Sequence, residues 1–197
     1  MAHAQPRHLR ALRTANGECV MLRSIGPADA NVLQAYVRGL SPQSRHNRFF
    51  GALHELPPTE LDRVIHFDRK CELALLAEIH VNGKPTVVAE ARYVFLPDRL
   101  EGEFAFSVAD DWRGRGLGSL LIADLECRAR SDGAHRLCGD VLHSNEPMKA
   151  LVRKTGFLMV DVPHDATLVR ITKDLVHSPA LRPCESLTGS SELAAAA

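Results

Sequence analysis

Apolar residues recur along this chain with two periods, and the places where the period changes mark its elements. Phe104, Phe106 and Val108 alternate with Ala105 and Ser107, the period-two pattern of a strand. Two longer runs of the same character, Cys71 to His80 and Pro85 to Phe95, flank Asn82-Gly83, and that dipeptide predicts a hairpin turn. Cys19 to Leu22 is a shorter strand candidate. Helical spacing appears in Val32, Leu33, Tyr36, Val37 and Leu40, opened by Gly26-Pro27. Ser41-Pro42 repeats the opening signal for a short helix over 43–50. Pro57-Pro58-Thr59 begins another helix, with Leu61, Val64 and Ile65 inward and Thr59 and Asp62 spaced as a capping box. Leu117, Leu120, Leu121 and Leu125 share a helical face, with Asp124, Arg128 and Arg130 directed away from it; Gly133 stops the run. Arg136 to Leu142 follows as a strand, 148–155 as a helix, and 157–162 and 166–172 as closing strands.

Consecutive antiparallel strands ahead of a single strand–loop–helix unit predict an α+β fold: one mixed, mostly antiparallel sheet flanked by helices. The strand at 136–142 follows a crossover helix and should lie parallel to the strand ending at Val108.

Between that strand and its helix stands Arg113-Gly114-Arg115-Gly116-Leu117-Gly118-Ser119. Glycine lets backbone N–H groups approach an anion, and a helix N-terminus adds unpaired donors and partial positive charge. A P-loop would need a lysine after its last glycine, and a dinucleotide fingerprint fails on spacing. The pattern Arg/Gln-x-x-Gly-x-Gly/Ala is met by Arg113, Gly116 and Gly118.

That pattern resembles the pyrophosphate loop of the GNAT superfamily of acetyl-CoA-dependent N-acetyltransferases. Asn145, followed by Gly156-Phe157, is similar to the superfamily's second motif. LSPQSRHNRFFG from Leu40 to Gly51 is similar to a segment of the acetyltransferase domain of bacterial protein lysine acetyltransferases. The resemblance runs from about Val20 to Leu175. It implies acetyl-CoA as donor and an amine as acceptor, first a protein lysine, then a small-molecule amine; a domain that binds acetyl-CoA as a sensor without turnover is a third reading. It also admits a homodimer. Pyrophosphate would be bound by the backbone of Arg115 to Ser119, with Gly114 in the turn and Arg113 contributing its side chain or anchoring the turn. The backbone at Val108 would pair with the pantetheine arm. Asn145 would bond that arm or cap its helix, and Lys149 would reach the phosphates.

Deprotonating an amine of pKa about 10.4 calls for a base, and a carboxylate in a cleft can serve, directly or through water. Glu103 matches the family's glutamate; Glu101, Glu90 and Glu78 are rivals on the same or neighbouring strands. Where many relatives carry a tyrosine to protonate the leaving thiolate, this chain has Val152.

Composition narrows the rest. With 24 basic and 24 acidic residues in 197, no overall field favours nucleic acid or an anionic membrane. The longest apolar runs fall short of the ~20 residues of a membrane span. Five cysteines without a CxxC read as buried or free thiols in a reducing cytosol. Ten histidines lack metal-binding spacing, so no metal is expected. Residues 1–17, basic and without acids, read as a flexible arm, 18–177 as the acetyltransferase domain, and 178–197 as a flexible tail.

Overall fold

The computed structural model describes residues 10–68, 70–96 and 100–180. Its strands are β1 (Arg10–Arg13), β2 (Cys19–Ser24), β3 (Glu72–Val81), β4 (Lys84–Phe95), β5 (Glu101–Val108), β6 (Arg136–Leu142), β7 (Leu158–Val162) and β8 (Asp165–Asp174). The helices are α1 (Ala30–Gly39), α2 (Pro42–Phe49), α3 (Pro58–Ile65), α4 (Leu117–Ser131) and α5 (Glu146–Lys154). All strands join one sheet in the order β1-β2-β3-β4-β5-β6-β8-β7. Only β5 and β6 run parallel, as the crossover through α4 requires. This is the expected α+β fold with a mixed, mostly antiparallel sheet. The β3–β4 hairpin turns on Asn82 and Gly83, both at positive φ, 51° and 75°.

Helices cover both faces. On one, Leu117, Leu121 and Leu125 of α4 pack over Ala89, Ala91, Tyr93 and Phe104. On the other, Leu33, Tyr36 and Val37 of α1 and Val64 and Ile65 of α3 pack over Ala74 and Leu76. Alternation along β4 and β5 therefore decides which half of the molecule each residue serves. Ala89, Ala91, Tyr93, Phe104, Phe106 and Val108 face or abut the α4 core. Glu90, Arg92, Val94, Glu103, Ala105 and Ser107 occupy the opposite positions.

Several expectations are corrected. Residues 10–13 are a strand paired with β2 and not part of a flexible arm. Residues 1–9 and 181–197 lie outside the described ones. Val32 is exposed, one residue off the 33, 36, 37, 40 stripe that α1 buries. Thr59 forms no capping box: Pro57 is the N-cap of α3, so Thr59 lies inside the helix, and no side chain caps it. Asp124 and Arg128 of α4 are buried rather than solvated. Arg10 of β1 and Arg128 both bond Asp124, at 2.9 and 2.6 Å, because the N-terminal strand extends over that face. Glu126 is likewise enclosed by Arg130 and Lys173. Cys19 and Cys138 are free thiols, whereas Cys127 is disulfide-bonded.

No helix among the described residues is long and apolar enough to cross a membrane. No group of three or more histidine, cysteine, aspartate or glutamate side chains there is arranged to hold a metal.

Candidate active site

The sheet forks between β5 and β6. They pair at only three positions, Glu101 with Arg136, Gly102 with Leu137 and Glu103 with Cys138. Beyond them β6 stays with β8 through Leu142, and β5 stays with β4 through Val108. The β6-facing edge of β5 from Phe104 to Val108 is thus left open, with backbone donors and acceptors that an extended ligand can pair. A cavity of about 920 Å³ fills the fork and reaches both faces of the sheet.

One end of the cavity is the glycine loop. Arg113, Gly114, Gly116, Leu117, Gly118 and Ser119 all line it, as does Val108. Gly116 is the N-cap of α4 at φ 81°, a left-handed conformation that costs a residue with a Cβ roughly 1–2 kcal/mol. Gly118 lets α5 approach closely: a Cβ there would stand 2.8 Å from Leu151 Cδ2, and that side chain would have to shift. The first-turn N–H groups of α4 thereby face the cavity, an anion-binding arrangement.

The two loop arginines have different structural roles. Arg113 Nη2 donates to Ser44 Oγ at 2.6 Å and its Nη1 lies 3.3 Å from Asp110. Asp110 also accepts from Ser41 N and from the hydroxyls of Ser41 and Ser44. Burial would push the Asp110 carboxyl up, but these hydrogen bonds and Arg113 hold it below the usual range. Arg113 therefore anchors the loop to the N-terminus of α2, a tie that sequence spacing did not reveal. Arg115 stacks over Trp112 at 4.5 Å and pairs with Glu18, and its side chain does not line the cavity. Its carbonyl accepts from Ala15 N at 3.0 Å, so the β1–β2 turn braces the loop.

Asn145 lines the cavity and caps α5, its Oδ1 accepting from Met148 N at 3.2 Å. Lys149 departs from expectation: it is buried, pairs with Glu146 at 2.6 Å and does not line the cavity. Lys154, at the end of the same helix, does. Val152 is fully buried in the α4 core, so no hydroxyl is presented from that position.

Toward α1–α3 the cavity changes character. Glu103 lines it with an exposed side chain, at the last paired position before the fork. The rival carboxylates are occupied. Glu101 pairs with Arg136. Glu78 is locked with Arg23 and Asp29 in a largely buried ion network. Glu90 is held by Arg48 at 2.5 and 3.2 Å and accepts from Ser107 Oγ at 2.9 Å; Tyr36 Oη lies 3.0 Å from that hydroxyl. Burial alone would raise the Glu90 pKa, yet the Arg48 charge and hydrogen bonds outweigh it and bring it below the ordinary range. A carboxylate so paired is a poor proton acceptor at neutral pH. Arg48, Arg63 and Arg92 also line this end, and of the three only Arg48 lies in a segment that the sequence marked, Leu40 to Gly51. Arg63 and Arg92 were missed because nothing in their local pattern distinguishes them from solvated charge.

The arrangement can hold an anion at α4, an extended chain along β5, and a reacting group at the fork beside one available carboxylate. Comparison with known proteins agrees. Residues 42–157 match the acetyltransferase (GNAT) family. Acetyltransferase PA5475 of Pseudomonas aeruginosa is 30% identical over 154 residues, covering 78% of this chain and 83% of that protein. The GNAT domain of S. lividans PAT superposes with a TM-score of 0.77 at 25% identity, over 88% of this chain and 99% of that domain. The structure of yncA from Salmonella typhimurium with its cofactor acetyl-CoA shares the fold at TM-score 0.64 and 18% identity, over 84% and 99%. The chain belongs to the GNAT acetyltransferase family.

Proposed function

We propose that this protein transfers the acetyl group of acetyl-CoA to a primary amine by direct attack in a ternary complex, with Glu103 as the base. The observation that carries the reading is the position of Glu103: it lines the cavity where β5 and β6 part, while Glu78, Glu90 and Glu101 are each engaged by an arginine. In this reading the diphosphate lies on the first-turn N–H groups of α4 and the pantetheine arm pairs with β5 near Val108, with Asn145 within reach. Glu103 takes the amine proton directly or through water. The nitrogen lone pair attacks the thioester carbon, the C–S bond breaks, and the thiolate leaves. A thiolate is a tolerable leaving group, so protonation by solvent suffices where Val152 offers no acid.

The acceptor is first a protein lysine side chain. The supports are the Leu40–Gly51 segment and the likeness to the GNAT domain of PAT. A small-molecule amine is the second reading, and the cavity volume, about 920 Å³, has room for both a donor arm and such an acceptor. A cytoplasmic setting goes with the donor. A sensor without turnover would be favoured by a Glu103 turned away from the cavity, and here it lines it.

The test is thiol release from acetyl-CoA against lysine-bearing proteins and small amines, for the wild type and Glu103→Gln, with calorimetry of acetyl-CoA binding on both. Wild-type turnover that falls about 10²–10⁴-fold in the variant, with binding retained, supports the reading. Tight binding without turnover on any acceptor would replace it with the sensor.

A further inference from the structure

The acceptor half of the cavity carries more positive charge than acetyl transfer to an amine needs. Arg48, Arg63 and Arg92 come from α2, α3 and β4, and 43 residues of chain lie between the first and the last, yet all line one end of one cavity. Arg48 is committed to Glu90. Neither Arg63 nor Arg92 has a carboxylate within ion-pairing distance among the described residues. Glu60, one turn before Arg63 on α3, acts on Arg92 only through space. Arg92 is half-buried, and an arginine in that setting is ordinarily paired. Burial first, then the like charges of Arg48 and Arg63, hold its guanidinium below the usual arginine range, outweighing Glu90 and Glu60. A cation kept there without a partner is one that an incoming anion would relieve.

Register says where that anion would sit. On the antiparallel β4–β5 pair, Val94 stands opposite Glu103 and Arg92 opposite Ala105. Arg92 and Glu103 are diagonal neighbours on one face, with backbones about 7–8 Å apart. An amine beside Glu103 is therefore within one short side chain of the Arg92 guanidinium, and Arg63 overhangs from α3. Polyamines, whose second charge is positive, meet repulsion here.

We propose that Arg92 and Arg63 read a carboxylate carried by the acceptor close to its reacting amine. The inference rests on the acetyl transfer proposed above. The carboxylate has two sources of the same chemistry: an acidic residue beside the target lysine of a protein, or the acid group of a small amino acid-like acceptor.

The experiment measures kcat/KM by thiol release with saturating acetyl-CoA. One arm compares peptides with Glu, Gln or Lys beside a single acetylatable lysine. The other compares free amino acids with their carboxamides. Wild type, Arg92→Gln and Arg63→Gln are run together, with calorimetry of acetyl-CoA binding. A charge-assisted contact predicts that the acid-bearing acceptor is preferred by about tenfold or more, and that Arg92→Gln removes most of that preference with acetyl-CoA affinity retained. Preference in the peptide arm assigns the carboxylate to protein; preference in the amino acid arm assigns it to the acceptor itself. Arg63→Gln, at an exposed position, keeps the test standing should Arg92→Gln fold poorly, and it should reduce the preference in the same direction. Turnover without acid preference, or a preference untouched in both variants, overturns this inference and leaves acetyl transfer intact. No turnover on any acceptor, with acetyl-CoA bound, overturns the catalytic reading and this inference with it.

Discussion

The two ends of the cavity are built on different principles. The end proposed to hold the donor is made of backbone: the open edge of β5, the turn at Gly116 and the first N–H groups of α4. Its side chains mostly brace it, as when Arg113 bonds Ser44 and Arg115 stacks on Trp112. The end proposed for the acceptor is made of side-chain charge: Glu90 locked to Arg48, Glu103 available, and Arg63 and Arg92 without an ion-pair partner among the described residues. A backbone site depends on glycine spacing and is insensitive to most neighbouring side chains. A charged site depends on burial and pairing, so single truncations there reach stability as well as binding.

The sharpest way to break this comparison is to unpair Glu90. Both it and Arg48 have side chains only 7% exposed. Removing one partner of such a pair leaves a buried charge uncompensated, so Arg48→Ala or Glu90→Ala should each cost about 3–5 kcal/mol in denaturant unfolding. The pH dependence gives an independent handle. The folded-state pKa of Glu90 is lowered, so the carboxylate's contribution is fully present above the unfolded value of about 4.3 and is lost as pH falls through the folded one. The stability gap between wild type and Glu90→Gln should thus be widest at neutral pH and narrow below pH about 4. A gap that is independent of pH would mean that this pair does not organise the acceptor end.

The same contrast explains what could be read from the sequence. Elements with a period were legible: the hairpin at Asn82-Gly83, the strand into the loop, the crossover helix and the parallel β6. So was the glycine loop, because Gly114, Gly116 and Gly118 stand in one short stretch, and all three line the cavity. The acceptor end was not. Arg48, Glu90, Arg92 and Ser107 meet only through the pairing of β4 with β5 and the seating of α2 over them. Lys149 was misplaced for a related reason: helical spacing puts it a turn from Arg153, but only the packing of α5 shows that it is buried against Glu146 while Lys154 faces the cavity. The expected outward face of α4 was lost because β1, read as part of an arm, covers Asp124.

A change to the donor end should separate binding from stability. In Gly116→Val a β-branched residue must adopt φ near 81° or force the loop to shift. The strain is worth roughly 1–2 kcal/mol, and either response disturbs the N–H groups at the start of α4. Acetyl-CoA affinity by calorimetry should fall by about tenfold or more, since each ~1.4 kcal/mol is a factor of ten. The added Cβ meets nothing nearer than Ala15 Cβ at 3.5 Å, so the core is spared and unfolding should move far less than in Glu90→Ala. Equal losses in both measurements would mean that the glycine serves the fold rather than the ligand.

The smallest effect is expected from another arginine–glutamate pair, outside the cavity on the α1–α3 side of the sheet. Arg38 at the end of α1 is bonded to Glu55, and the two side chains are 51% and 50% exposed. The ionic groups match those of Arg48 and Glu90; what differs is water. An exposed pair contributes about 0–1 kcal/mol and is screened by salt. Arg38→Ala should therefore change unfolding by less than about 1 kcal/mol, with the difference shrinking as salt is added, whereas the loss in Arg48→Ala should persist in salt. Arg45 bonds the Arg38 carbonyl, which the substitution leaves in place, so that backbone tie is kept. Comparable losses at Arg38 and Arg48 would show that the charge on these helices matters wherever it lies, and that burial beneath α2 is not what sets the acceptor end apart.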